Sequence, residues 1–483
     1  MNTDIRVVNV EAFQVRAVGR TPLSFGSVVV QELPIGYARA TVENRAGQVA
    51  TGWGAMFLMH LWSWPVARAS AEARGKVICE LFDVYARIVC ESGAFGHPVQ
   101  LFVESEDQLR AANRRISAKH TPGEEMPFLG ALVGASPIDH AIHDAFGNVN
   151  GIDSYRGYGP GWMPDVSTFL GKEFAGVYPS QFLRQDYLPV VPIFHLVGGL
   201  DFLTRGEVTG DPPHDRRASL PDDGVPNSLD HWIERDGVFC LKVKLHARDL
   251  DWDLARTIAV ARIYDDVRSG ARRDLPERPF LTCDFNEQCE SPEYVVEFLR
   301  RLAEMAPQVY RDMLYVEQPV HRDLEAHPWD MRGASALKPI LVDESLTSVA
   351  DMRRAMELGW SGIALKSCKC LSSDLILLCA AELAGVPYAI QDLTCPSIAL
   401  IESVGLAGRI HTIKGVEANS RQFYPEVNEL VAGAHPGLFH VRDGYARTSS
   451  LTGTGLGMNI DRVPGFANTI EQADRAYREA QPK

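Results

Sequence analysis

Five groups of charged residues stand out in the second half of this 483-residue chain: Lys242-Val243-Lys244, Asp284-Phe285-Asn286, Glu317, Asp343-Glu344 and Lys366. Each closes or follows a short apolar run. Three carboxylates in one dry pocket repel one another. A hard divalent cation with oxygen ligands relieves that repulsion, and Mg2+ suits the donor set. Lysines on either side of such an ion suit proton transfer at the carbon next to a carboxylate. The cation and one ammonium neutralise the developing charge while the other lysine takes the proton. A lysine acts as a base only after losing its own proton. Burial, a neighbouring ammonium and a metal ion all push its pKa down, which is the expectation for Lys244 and Lys366.

The elements that must position these groups are six apolar runs, at 241–245, 280–284, 314–317, 340–343, 362–366 and 387–391, whose polar ends lie 23 to 40 residues apart. A strand–helix unit that returns to a parallel strand takes roughly 25–40 residues. Helical patterns fill the gaps at 292–302, 348–358 and 373–384. Strand and helix repeated in this way give a parallel sheet with covered faces. In a (β/α)8 barrel the C-terminal ends of the strands form the active-site rim, and the polar residues fall there. Side chains alternate along a strand, so Lys242 and Lys244 point one way and Asp284 and Asn286 share a face. Of Asp343 and Glu344, only one is expected to point inward.

Composition bounds the function. Hydrophobic content of 46% and charged content of 23% are ordinary for a globular protein. A net charge of −14 argues against a nucleic-acid partner. It leaves an anionic substrate open, because local lysines and a metal set the field in a pocket. The nine cysteines have no metal-finger spacing, and Cys368-Lys369-Cys370 is too tight for a zinc pair. With no signal-peptide pattern, reduced thiols and a cytoplasmic location are expected. No apolar run approaches ~18 residues, so no membrane span is expected.

Along the chain, strand patterns at 5–16, 27–33, 36–43 and 48–53 precede helical ones at 69–91, 106–115 and 138–146, with 20–26 reading as a loop. Strands followed by helices suggest an α+β capping domain over 1–165. Residues 155–187 read as a linker. The first barrel strand is expected at 191–197, with His195 near its end, and the barrel over 190–420. Residues 211–230 carry several Pro and Asp and read as a solvated insertion. The eighth strand is expected at 409–413, with Glu417 in its rim loop. The run Gly453–Gly457 lacks the strand–loop–helix setting of a phosphate loop.

Taken in order, Lys242-Val243-Lys244, Asp284-Phe285-Asn286, Glu317-Gln318-Pro319, Asp343-Glu344-Ser345 and Leu365-Lys366 resemble the enolase superfamily, most of all its muconate-lactonising and mandelate-racemase branches. The resemblance implies an α/β fold: a (β/α)8-type, modified TIM barrel with an α+β cap built from the N-terminal region and a C-terminal segment, 421–483, that returns to it. It implies Mg2+ held by Asp284, Glu317 and Asp343, an acid/base pair of Lys244 and Lys366, and support of Lys244 by Lys242. Asn286, Glu344, Gln391, Asp392, Glu417 and His195 are candidates to bind substrate or support the ligands. Lys369, out of phase with Lys366, is expected to face a helix. Several positions depart from the family pattern: Ala55 replaces a glutamate after Gly52-Trp53-Gly54, Glu287 replaces a glycine, and Leu371-Ser372 replaces a glycine pair. Mandelate-racemase relatives pair a seventh-strand histidine with a sixth-strand aspartate. Gln391-Asp392 and Lys366 stand there instead, favouring two-lysine chemistry. The implied activity removes the α-proton of a small-molecule carboxylate through a metal-stabilised enediolate, first as a racemase or epimerase, then as a dehydratase or cycloisomerase. A barrel that binds metal and ligand without catalysis is the alternative of another class. A homo-oligomer is implied, with no nucleic-acid or membrane partner.

Overall fold

Alternating apolar residues carry β1 (Ile5–Phe25) and β2 (Val28–Asn44) into a long antiparallel ribbon, and β3 (Val49–Phe57) adds to the other edge of β2. The structure, a computed structural model, describes residues 1–25, 28–209 and 220–481. Two expectations change here. Residues 20–25 do not form a loop but continue β1, with Leu23 opposite Val30 and Ser24 opposite Val29. The described part of 27–33 joins 36–43 in one strand. Pro34 is tolerated because its carbonyl, and so its ring nitrogen, faces away from β1, at a point before the β3 ladder begins.

Three long helices pack together beside this sheet, α1 (Ala71–Glu91), α2 (Pro98–His120) and α3 (Phe128–Asn150), with α1 and α3 lying against the strands and α2 against those two helices. Ser70 caps α1 by accepting from Ala73 N, and Gly151 ends α3 in the left-handed conformation. The sequence patterns at 106–115 and 138–146 are only the middles of α2 and α3. Nearly all of α3 is buried, and it lies directly on β3. A Cβ on Gly52 would come within 2.1 Å of Ala145 N, and one on Gly54 within 2.2 Å of Pro137 O. The Gly52-Trp53-Gly54 pattern thus permits main-chain contact between strand and helix.

The remainder is a closed parallel ring of eight strands: β4 (Val190–Val197), β5 (Cys240–Lys244), β6 (Phe280–Asp284), β7 (Met313–Glu317), β8 (Ile340–Val342), β9 (Gly362–Lys366), β10 (Tyr388–Gln391) and β11 (Val416–Glu417). Val416 opposite Ile193 and Glu417 opposite Phe194 close it. Helices α4 (Leu250–Ser269), α5 (Pro292–Met305), α6 (Val349–Glu357), α7 (Leu371–Ala384) and α8 (Ile398–Arg409) follow β5, β6, β8, β9 and β10. The eighth strand is therefore not 409–413. Arg409 ends α8, and Gly415 turns the chain so closely past Pro192 that a Cβ would sit 2.0 Å from its carbonyl oxygen. Glu417 consequently lies on the strand.

The C-terminal segment returns to the N-terminal sheet. β12 (Tyr445–Arg447) pairs antiparallel with the start of β4, and Asp474 of α9 (Phe466–Ala480) accepts from Gln14 N at 2.7 Å. The glycine run 453–457 binds α3: Leu456 N donates to Asp144 at 2.7 Å. All nine cysteines are free thiols. Among the described residues no helix is long and apolar enough to cross a membrane.

Candidate active site

Strand register brings the charged residues together. Lys244 ends β5 opposite Asp284, which ends β6 opposite Glu317, and Lys366 ends β9 opposite Gln391. Lys242 is buried at the centre. Its ammonium donates to Glu317 at 2.9 Å, Gln391 at 3.0 Å and Glu417 at 3.0 Å, and lies 3.1 Å from Asp284. Lys244 donates to Asp284 and, at 2.9 Å, to Asn286 Oδ1. Lys366 donates to Asp343 at 2.6 Å.

Asp343 and Glu344 do not obey strand alternation, because β8 stops at Val342 and both lie beyond it. Asp343 accepts from Lys366. Glu344 turns toward the cap and accepts from Asn286 Nδ2 at 3.1 Å and Trp62 Nε1 at 3.0 Å. Lys369 does not face a helix: its ammonium is buried and donates to Asp343 Oδ1 at 3.0 Å and to the Asp343 carbonyl at 2.6 Å. The reason is local. Residues Ser367–Lys369 form a 3-10 turn, in which positions three apart eclipse, so Lys369 swings back beside Lys366. The spacing Lys-x-x-Lys after a strand end was the available signal.

A small cavity opens on this cluster, lined by Leu23, Met59, Trp62, Leu196, Lys242, Lys244, Asn286, Lys366, Asp392, Thr394, Glu417 and Asn419. The cap supplies the first three. Trp62 sits on a short helix, His60–Ser63, with its ring face 4.3 Å from the Lys366 ammonium. Arg322, paired with Glu287 at 2.7 Å, holds the carbonyls of Trp62 and Ser63. No periodicity or motif marks Trp62 or Arg322. Gln391 lies below the cavity, donating to Tyr315 at 2.6 Å, and Asp392 accepts from Asn419 N at 3.0 Å. His195 is not brought to the lysines. It lines a neighbouring cavity with Arg20, Phe202 and Trp232, and its Nε2 is 3.2 Å from Gln422.

Burial opposes the charges on Lys242 and Lys366, but neighbouring carboxylates, led by Glu317 for Lys242 and Asp343 for Lys366, outweigh it and hold both ammoniums above the ordinary lysine range. Burial, then repulsion from Asp284 and Asp343, pushes the Glu317 carboxyl well up despite Lys242, and burial with Asp343 pushes Glu344 up to about 7. Among the described residues no three acidic, histidine or cysteine side chains converge as tightly as bound-ion coordination requires. Ammoniums occupy the gaps. The donor set nevertheless suits a hard cation, since Glu317 Oε2 and Glu344 Oε2 are buried without a hydrogen-bond partner beside Asp284 and Asp343.

The closed ring with a rim of carboxylates and lysines under an α+β cap defines a capped, modified TIM barrel. Residues 225–463 match the family described as enolase C-terminal domain-like, and with this fold the chain belongs to the enolase superfamily. No curated protein matches by sequence. Similar solved structures include N-succinyl Arg/Lys racemase from Bacillus cereus, at 16% identity and a TM-score of 0.57 over 97% of this chain and 98% of that one. Dipeptide epimerase from Enterococcus faecalis, complexed with Mg and L-Leu-L-Tyr, is 16% identical with a TM-score of 0.52 over 86% and 91%. An enolase from Bradyrhizobium complexed with magnesium and mandelic acid is 19% identical with a TM-score of 0.55 over 95% and 96%. At these identities the likeness is one of fold.

Proposed function

We propose that the chain is a Mg2+-dependent enzyme that removes the α-proton of a carboxylate substrate, acting as a racemase or epimerase. One observation carries this reading. Lys244 and Lys366 line the same cavity from β5 and β9, four strands apart in a ring of eight and so on opposite sides of the mouth. A carboxylate substrate between them presents one face of its α-carbon to each lysine. Proton removal by one and return by the other inverts the centre. That the neighbours include a racemase and an epimerase, one of them solved with Mg, supports the reading.

Asp284, Glu317 and Asp343 are the residues proposed to hold Mg2+, with Glu344 and Asn286 beside them. When bound, the ion supplies Lewis-acid charge that stabilises the substrate carboxylate as the proton leaves. Lys242, held cationic by Glu317, Glu417 and Asp284, adds fixed positive charge beneath the site. Trp62, Met59 and Leu23 exclude water from above. The test is solvent exchange: with Mg2+ in D2O, an acid that binds exchanges its α-proton, and both enantiomers appear. An intact α-proton across mandelates and N-succinyl amino acids, despite measurable binding, would argue for a barrel that binds without catalysis.

A further inference from the structure

Helix α3 presents Ser136 and His140 to the turn that follows Lys366, and Asp139 and His143 to Ser372 at the start of α7, one helical face at spacings of three and four. Ser136 Oγ and His140 Nε2 both reach the carbonyl oxygen of Ser367, at 2.8 and 3.0 Å. A carbonyl only accepts, so His140 donates from Nε2, and its Nδ1 is a bare acceptor in the neutral ring. That Nδ1 has no hydrogen-bond partner. Neither does Glu402 Oε2, 3.6 Å away, and both side chains are fully buried. The other Glu402 oxygen takes the N–H of Ala55 on β3 at 3.4 Å. An ionised Glu402 would set lone pair against lone pair in a dry site, with the carboxyls of Asp139 and Asp144 close enough to add repulsion. A proton on Oε2 removes that repulsion and turns a donor toward Nδ1. Burial first, then Asp144 and Asp139, raises the Glu402 carboxyl well above the usual range, and burial lowers His140 to about 4, both in the required direction.

We propose that Glu402, as a neutral carboxyl, and His140 form a buried relay from α8 through α3 that positions Lys366 by fixing the turn behind it. The relay rests on the two-lysine reading. Its other anchors agree. Ser367 Oγ bonds Ser403 Oγ at 2.6 Å, one residue after Glu402, and Lys366 N donates to Asp374 at 3.1 Å. Lys244, across the ring, is held by Asp284 and Asn286 instead, so the relay serves one face of the site only.

The experiment uses the full chain with Mg2+ and both enantiomers of mandelate and of N-succinyl-lysine in D2O, with exchange followed by NMR. His140→Phe and Glu402→Ala are expected to slow exchange at the Lys366 face about tenfold, while the Lys244 face changes less than about twofold. Glu402→Gln, which mimics the neutral carboxyl, restores the rate. Equal loss at both faces, or none, overturns the relay. Ser136→Ala, which removes one of two donors to Ser367, gives the same face selectivity should His140→Phe not fold. Infrared difference spectra of Glu402→Gln against wild type are expected to lose a protonated-carboxyl band at neutral pH. Loss of carboxylate bands instead overturns the relay whether or not any probe exchanges. Wild type that binds a probe yet exchanges neither of its enantiomers sinks the two-lysine reading, and the infrared result still decides the relay.

Discussion

Lys369 and Lys366 share one carboxylate: the first lies 3.0 Å from Asp343 Oδ1 and the second 2.6 Å from Oδ2. Both lysines are buried, so each compensates charge that water cannot reach. Lys369→Met should leave that buried carboxylate half compensated, a change that costs about 3–5 kcal/mol. Urea denaturation should show the unfolding free energy falling by that amount, with a lower midpoint. An unchanged midpoint would mean that Lys369 adds nothing to Asp343.

Asp284→Asn keeps the shape of the site and removes the charge that Lys242 and Lys244 face. A rim carboxylate contributes to function more than to the barrel core, so the fold should persist. Calorimetry is expected to show Mg2+ affinity falling by at least about tenfold. Undiminished affinity would remove Asp284 from the ligand set.

The two proposed bases should separate by face. Lys366→Ala should stop racemisation yet leave α-proton exchange of one enantiomer, and Lys244→Ala should show the mirror pattern. Loss of a general base costs on the order of 100- to 10,000-fold at its own face. Near wild-type turnover of both enantiomers by both variants would end the two-base reading.

Acid should destabilise the cap through His60. Burial, then Arg74, lowers its pKa from 6.5 to about 4, and its Nδ1 is buried without a partner. Below pH 6.5 the unfolded chain takes a proton that the folded chain refuses, so stability present above that pH declines as pH falls toward 4. His60→Leu should flatten the fall in urea midpoint over this window. An unaltered slope would assign the acid sensitivity elsewhere.

Gly54→Ala tests the contact of β3 with α3. The added methyl meets Pro137 O at 2.2 Å and Ala141 N at 2.7 Å, main-chain atoms that cannot rotate away. A loss of about 2 kcal/mol or more is expected from thermal melts. A variant as stable as wild type would show that helix and strand separate easily.

The barrel was legible because its signals are local. The return length of a strand–helix unit and the polar residue at each strand end are set within one short segment. That is why Lys244, Asp284, Glu317 and Lys366 stand at the rim where their spacing places them. The short β11 was misplaced because only two residues reach β10 and β4, too few to leave a periodic trace.

By itself, then, the sequence determined the repeating units, the order of the rim charges and the acidic, metal-suited character of the site. Tertiary structure alone decided which partners those charges meet. Trp62 reaches Glu344 across 282 residues, and Ser136 reaches Ser367 across 231. The carboxylate that Lys366 meets, Asp343, likewise comes from a packed neighbouring strand end. Pairings of this kind arise when two surfaces with their own local order are pressed together, and neither segment carries the geometry of the contact in its own pattern.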